Sequence, residues 1–406
     1  MNPRVKRLNW PRWNRATRLW LVLGALVLAL AGCSHVRYYA QAAHGQLALL
    51  SGAKPIEAWL QQPELEPRLR QRLLAAQKIR RFAVTELGLP QNGSYQDYVD
   101  IQRPFVLWNV VATEEFSFVP RSWCFPVAGC VSYRGYYLEA DARAFAERLR
   151  AEGADVQVSG VPAYSTLGWF NDPLISSFIY YPESELARLM FHELSHQLLY
   201  VAGDTRFNEA FASTVEEAGL QRWLAQNGTA EVRAAHQAAA MRKKQFLALL
   251  LTTRTQLDAL YVDAVPDAGQ KRQAKARIFD GMRESYRQLK QAWGGYVGYD
   301  RWFAAPLSNA HWVAVANYEQ YVPGFKALLA ARADLPGFYA AARELARLPQ
   351  SEREQALLRL GAVADGVAGD AANEVANEVA NEVGAAGKVD ELAAAAKARG
   401  KHKGDQ

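Results

Sequence analysis

FHELSHQLLYVAGDTRFNEAFASTVEE, residues 191–217, sets two histidines four residues apart, His192 and His196, with Glu193 directly after the first. A Gly203-Asp204 break follows, and beyond it comes a second glutamate, Glu209. The pattern predicts a helix from about Glu183 to Val201, a turn at Gly203, and a second helix capped by Asp204 or Thr205. On an α-helix, residues four apart share a face about one turn from each other, so the two imidazoles can reach a single point. Glu193 sits about 100° around the helix, at the edge of that face. A helix hairpin can then return the Glu209 carboxylate to the two histidines.

The order H-E-x-x-H is that of zinc peptidases: two neutral imidazoles bind the ion, and the glutamate takes a proton from the water it activates. Such chemistry needs a metal because water is a poor nucleophile at neutral pH; zinc lowers its pKa to about 7 and polarises the scissile carbonyl. A carboxylate can then complete the deprotonation and pass the proton to the leaving amine. Catalytic zinc takes three protein ligands and keeps one position open, so His192, His196 and Glu209 form a complete set for one Zn²⁺ per chain, with Glu193 as general base and acid. Mn²⁺ and Co²⁺ fit the same donors. The competing reading is an amphipathic hairpin that contains the motif by chance.

Upstream, residues 34–55 and 56–88 read as helices, the first ended by Gly52 and Pro55 and the second by Gly88 and Pro90. Segments 103–120 and 127–137 are β-branched and aromatic with turn residues between, and read as strands. An amphipathic helix over 139–153 follows, and 154–170 alternates like a strand before a loop at Asn171-Asp172-Pro173. Downstream, 229–264, 267–293 and 324–360 are helical in pattern. The expected fold is α+β, mainly helical, with a small β-sheet (about 103–170) packed before the metal-binding helices (about 183–226) and a helical C-terminal part (229–360). Residues 361–406 are poor in aromatics and hold ANEV three times over 372–383, which reads as a low-complexity tail.

Half of the 406 residues are hydrophobic and 22% are charged, which excludes disorder for the chain as a whole. The net charge of +6 is concentrated at the start: Arg4, Lys6, Arg7, Arg12, Arg15 and Arg18 have no acid among them. Setting those six apart leaves 41 basic residues against 41 acidic ones, so no electrostatic footprint for nucleic acid remains. The basic segment precedes LWLVLGALVLALAGC, Leu19 to Cys33, which is too short for a comfortable membrane span and ends in small residues before a cysteine. It resembles the signal of bacterial lipoproteins, in which residues 1–32 are removed and Cys33 is acylated; a plain signal anchor is the alternative. With Ser34 following, that resemblance implies a lipid anchor on the periplasmic face of the outer membrane. Of three cysteines, Cys124 and Cys130 then remain, either bridged or as two thiols.

NEAFAS, Asn208 to Ser213, is similar to the N-E-G-F-A segment of the gluzincin aminopeptidases, whose glutamate is the third zinc ligand. Twelve residues separate His196 from Glu209, fewer than in the best-known members, and no glycine-rich amine-gripping segment is visible. The chain more closely resembles the predicted zinc aminopeptidase family of proteobacterial lipoproteins through AGC with YYAQAAHGQLALL, GCVSYRGYY, GVPAYSTLGWFNDPL, FHELSHQLLYVAGDTRFNEAFAS and LSNAHW with YEQYVPGF, over roughly 30–350. The resemblance implies a 33–360 peptidase domain that removes N-terminal residues from peptides. An endopeptidase with the same centre, or a non-catalytic envelope lipoprotein used as a binding scaffold, are the readings that compete with it.

Supporting roles follow from chemistry. The second nitrogen of a ligand histidine usually donates to a carboxylate, and Glu216, seven residues past Glu209, is the candidate. A tyrosine or histidine normally stabilises the oxyanion, and the resemblance implies Tyr318, in the downstream segment shared with the family, over His311 and Tyr321. Gluzincins place the edge strand that pairs with substrate backbone just upstream of the zinc helix, so the resemblance implies that role for Tyr164 to Gly168, with a purely structural β-edge as the alternative. His35, His44, His236 and His402 are assigned no role.

Overall fold

A computed structural model describes residues 36–125, 129–265, 267–313 and 321–366, with side chains to residue 362. The expected leader, Cys33, Tyr318 and nearly all of the 361–406 tail therefore lie outside the described residues. Helix α1 (36–52) belongs to a first unit that ends at Ser51, and a second unit runs from Gly52 onward. No described helix is long and apolar enough to cross a membrane.

The second unit opens with β1 (Lys54–Pro55), α2 (Ile56–Leu60) and α3 (Pro67–Thr85). The helical stretch expected over 56–88 is thus two helices, because prolines 63 and 67 interrupt it. Pro67 occupies the first turn of α3, where its missing N–H costs nothing, and Glu66 caps that helix by accepting from Arg68 N at 3.0 Å and Leu69 N at 2.7 Å. Then come β2 (Asp97–Val99), β3 (Leu107–Thr113), β4 (Trp123–Phe125), β5 (Gly129–Val131), β6 (Arg134–Tyr136), α4 (Glu139–Ala151), β7 (Asp155–Val161) and β8 (Leu174–Ile175).

Where one small sheet was expected there are three, in the orders β1-β2-β8, β6-β3-β7 and β4-β5. In the second, β3 pairs antiparallel with β7 from Leu107 opposite Val161 to Thr113 opposite Asp155, and α4 packs across it. The β4-β5 hairpin is closed by a Cys124–Cys130 disulfide, which settles the choice the three cysteines left open. The strand expected over 154–170 ends at Val161, because Pro162 follows and the next ten residues fold onto Asp172: its Oδ2 accepts from Thr166 N at 3.0 Å. Tyr164 to Gly168 is loop rather than edge strand, and the Tyr164 and Tyr137 hydroxyls are bonded at 2.7 Å.

The helices that follow are α5 (Glu183–Leu198), α6 (Thr205–Asn227), α7 (Ala230–Val262), α8 (Ala268–Ala292), α9 (Asp300–Ala304), α10 (described over 310–313), α11 (Val322–Ala330), α12 (Leu335–Arg347) and α13 (Gln350–Gly366). The 324–360 stretch is three helices, since Asp334 caps a new start at Leu335-Pro336 and Pro349 begins another. The α+β, mainly helical class is what the sequence predicts.

Helices α5 and α6 form the hairpin expected around the motif, and their inner faces are apolar. Leu186, Ala187, Met190, Phe191 and Leu194 recur at one- to four-residue steps and are buried, as are Phe207, Ala210, Phe211 and Val215 on α6. Phe211 stacks on Phe338 of α12 and meets Phe325 of α11 edge-on, while Phe191 stacks against Phe82 of α3. At about 1.5–3 kcal/mol for each large apolar side chain removed from water, these contacts fix the hairpin on three sides.

Candidate metal centre

The turn between α5 and α6 determines whether the histidines and Glu209 can meet. Helix α5 stops at Leu199, whose backbone is extended, and Gly203 takes φ +84°, a conformation that favours glycine. Asp204 caps α6 by accepting from Phe207 N at 3.1 Å, and its other oxygen takes Arg353 Nε at 3.0 Å and Nη2 at 2.8 Å. Asn208 clamps the turn twice: Val201 N donates to its Oδ1 at 2.7 Å, and its Nδ2 donates to Val201 O at 2.8 Å. The residue just before Glu209 is therefore tied to the chain leaving the second histidine's helix. The hairpin β4-β5 packs on the same turn, since a Cβ at Gly129 would lie 2.7 Å from Gly203 N.

With the turn so held, one ligand atom from each of His192, His196 and Glu209 lies within 4.8 Å of the others. The two Nε2 atoms face each other at 3.2 Å, and Glu209 approaches them at 3.2 Å from His192 and 3.8 Å from His196. These three groups could hold a metal ion. The fit is chemical as well as spatial: two imidazole nitrogens and an acceptor-only carboxylate converge where a shared cation satisfies all three, and nitrogen plus oxygen donors suit a borderline divalent ion.

The outer nitrogens differ. His192 Nδ1 and Glu216 Oε2 are 2.7 Å apart, the pairing expected from the seven-residue spacing, and Glu216 Oε1 accepts from Arg188 Nη1 at 2.8 Å. His196 Nδ1 is buried and has no hydrogen-bond partner among the described residues. Electrostatics follow this asymmetry. Burial disfavours charge on His192, but hydrogen bonds to Glu209 and Glu216 prevail and raise its pKa well above the usual value. Burial lowers His196 to about 4, leaving it a neutral imidazole with a lone pair to give. Burial alone would raise Glu216, yet the His192 and Arg188 contacts hold it at about 2. Burial pushes Glu193 up to about 7, opposed by His192 and reinforced by Glu209, Asp172 and Glu216.

Three further groups belong to this neighbourhood and were not singled out from sequence. Asp172, 4% exposed, accepts from Gln197 Nε2 at 3.0 Å, and Gln197 lies one turn beyond Glu193 on α5. Tyr95 is buried with its hydroxyl unpartnered; burial, then the charges of Glu193 and Asp172, hold its proton on. Tyr200 meets the His196 ring edge-on at 6.3 Å, and burial followed by Glu209 raises its pKa. The only hint of Gln197 and Tyr200 was their helical spacing from the histidines. Of the oxyanion candidates, Tyr318 lies outside the described residues. His311 accepts from Ser308 N at 3.1 Å and packs on Trp302, and Tyr321 bonds Glu354 under Arg206, so both are engaged elsewhere.

Residues 37–357 match the model of the family described as "Putative aminopeptidase". The match spans most of the chain, which belongs to that family and is thereby a peptidase acting on peptide substrates. Neither a curated protein nor a solved structure matches it.

Proposed function

We propose that the protein is a zinc-dependent aminopeptidase that holds one cation through His192 Nε2, His196 Nε2 and a Glu209 carboxylate oxygen. The observation that carries this reading is the convergence of those three donors within 4.8 Å in a chain of an aminopeptidase family, with Glu193 next to the first ligand. When bound, the metal supplies Lewis acidity to the scissile carbonyl and makes water nucleophilic near neutral pH.

The chain's own residues do the rest. A Glu193 carboxylate oxygen accepts the proton of the attacking water and passes it to the departing amine nitrogen. Glu216 fixes the His192 ring by accepting from Nδ1, so that Nε2 faces the centre. Tyr318 is kept, on the resemblance alone, as the hydroxyl that stabilises the oxyanion. In the same reading residues 1–32 are a leader, 33–360 the peptidase and 361–406 a tail, with a lipid on Cys33 holding the protein in the envelope, at the periplasmic face of the outer membrane.

The test uses the soluble chain beginning after Cys33, loaded with zinc, against peptides with free and acetylated amino termini. Hydrolysis of free-amine peptides, lost in Glu193→Gln with metal content unchanged, supports the proposal. Equal cleavage of acetylated peptides makes it an endopeptidase instead, and no cleavage by the loaded protein favours a binding scaffold.

A further inference from the structure

An aminopeptidase must hold the α-ammonium group of its substrate, and a cation drawn out of water needs an anionic partner there. Three acids lie around Glu193: Glu209 and Glu216, which gather at the neighbouring His192, and Asp172, which Gln197 of the same helix face holds at 3.0 Å. Glu209 belongs to the metal set, and Glu216 has both oxygens taken, by His192 and by Arg188. Asp172 remains. Its carboxylate is held from one side only: Oδ2 accepts from Thr166 N and Gln197 Nε2, each at 3.0 Å, with Ser165 Oγ at 3.5 Å, while no described residue donates to Oδ1.

The backbone is fixed as firmly as the carboxylate. Asp172 N donates to Ser94 Oγ at 3.2 Å, and Tyr95 N donates to Asp172 O at 2.7 Å. Because Gln197 is one turn past Glu193, Asp172 is fastened over the face of α5 that bears Glu193. The Tyr95 hydroxyl, in a residue 2% exposed whose charge environment includes Glu193 and Asp172, makes no hydrogen bond to a described residue. A buried polar group without a protein partner is uncommon in a folded protein, and this hydroxyl is free to accept or donate to a group that enters beside it. A firmly positioned carboxylate with one oxygen that no described residue occupies, held by the residue that directly follows His196, forms a receptor for a small cation.

We infer that Asp172 is the anchor for the substrate's amino terminus: its Oδ1 accepts from the α-ammonium group, which sets the first peptide bond of the chain at the metal centre. This rests on the aminopeptidase reading and adds to it the residue that makes the enzyme cut only at the end of a peptide. Asp172 acts on substrate position, whereas Glu193 acts on the proton.

The test is Asp172→Asn in the zinc-loaded protein, which keeps an oxygen for Thr166 and Gln197 while removing the charge. Kinetics are measured on peptide pairs that differ only in a free or an acetylated amino terminus. The expected result is a KM for the free-amine peptide raised by about 100-fold, no change in the residual kcat/KM on its acetylated partner, and unchanged metal content. A variant that keeps the wild-type KM and the wild-type preference for free amines overturns the inference and leaves the aminopeptidase reading intact. Wild-type protein that cleaves both partners equally overturns both. If Asp172→Asn loses its circular-dichroism signal, Asp172→Glu gives the same readout: displacing the charge by one methylene raises KM for the free-amine peptide alone, and an unmoved KM counts against the anchor.

Discussion

Glu216 Oε2 and His192 Nδ1 lie 2.7 Å apart, while the other oxygen of the same carboxylate is held by Arg188 Nη1 at 2.8 Å. The imidazole proposed as a ligand is thus oriented by an acid that is itself oriented. Glu216→Gln keeps an acceptor for Nδ1–H and discards the charge, and is expected to weaken zinc binding by about tenfold, the low end for such outer partners. A competitive chelator titration measures it; an affinity equal to wild type counts against the role.

Asn208 makes two hydrogen bonds to Val201 across the α5-α6 turn. Asn208→Ala leaves the Val201 N–H and carbonyl unanswered at a partly buried site, for an expected loss of about 1–3 kcal/mol in urea unfolding. Because Glu209 is the next residue, zinc affinity should fall as well, which a surface hydrogen bond of the same strength would not do.

Arg353 and Asp204 are both buried, 5% and 6% exposed, and form a bidentate pair that ties α13 to the start of α6. Arg353→Met strands a carboxylate in the interior and is expected to cost about 3–5 kcal/mol. The double variant Arg353→Met/Asp204→Asn should recover part of that loss, since it removes the stranded charge. A double variant no more stable than Arg353→Met speaks against this account.

His311 gives a pH dependence separate from the metal centre. Burial first, only partly opposed by the Ser308 backbone, lowers its pKa to about 4. The unfolded chain takes up the proton near pH 6.5 and the folded one near pH 4, so this group withdraws stability as pH falls between those values and has no effect above them. At about 1.4 kcal/mol per pH unit, the window is worth about 3 kcal/mol. His311→Gln should therefore show a flatter unfolding free energy from pH 6.5 to 4 than wild type, and parallel profiles would contradict it.

How far the centre was legible depended on how local each relation is. His192, His196, Glu193 and Glu216 are related by steps along two helices, and helical periodicity alone places them on shared faces. The break before Glu209 was visible as Gly203-Asp204, and the structure adds the reason it returns the carboxylate, in Asn208. Asp172 was read as loop because what gives it meaning is Gln197 and Ser94, 25 and 78 residues away along the chain. No period reports such distances. Strands β1 and β8 have two residues each, too few to alternate, and the expected edge strand past Val161 yielded to Pro162 and to the hydrogen bonds of Asp172 and Thr166.

The close approach of Gly129 to Gly203 sets a disulfide beside the proposed metal ligands. A disulfide-closed hairpin lies against the six-residue link that separates the end of the histidine helix from the start of the glutamate helix, with no room for even a methyl group between the two backbones. The chain thus carries a record of its oxidation next to the ligands, and protein matured with free thiols and protein matured with the bridge are two preparations to be compared before any one zinc affinity is assigned to the sequence.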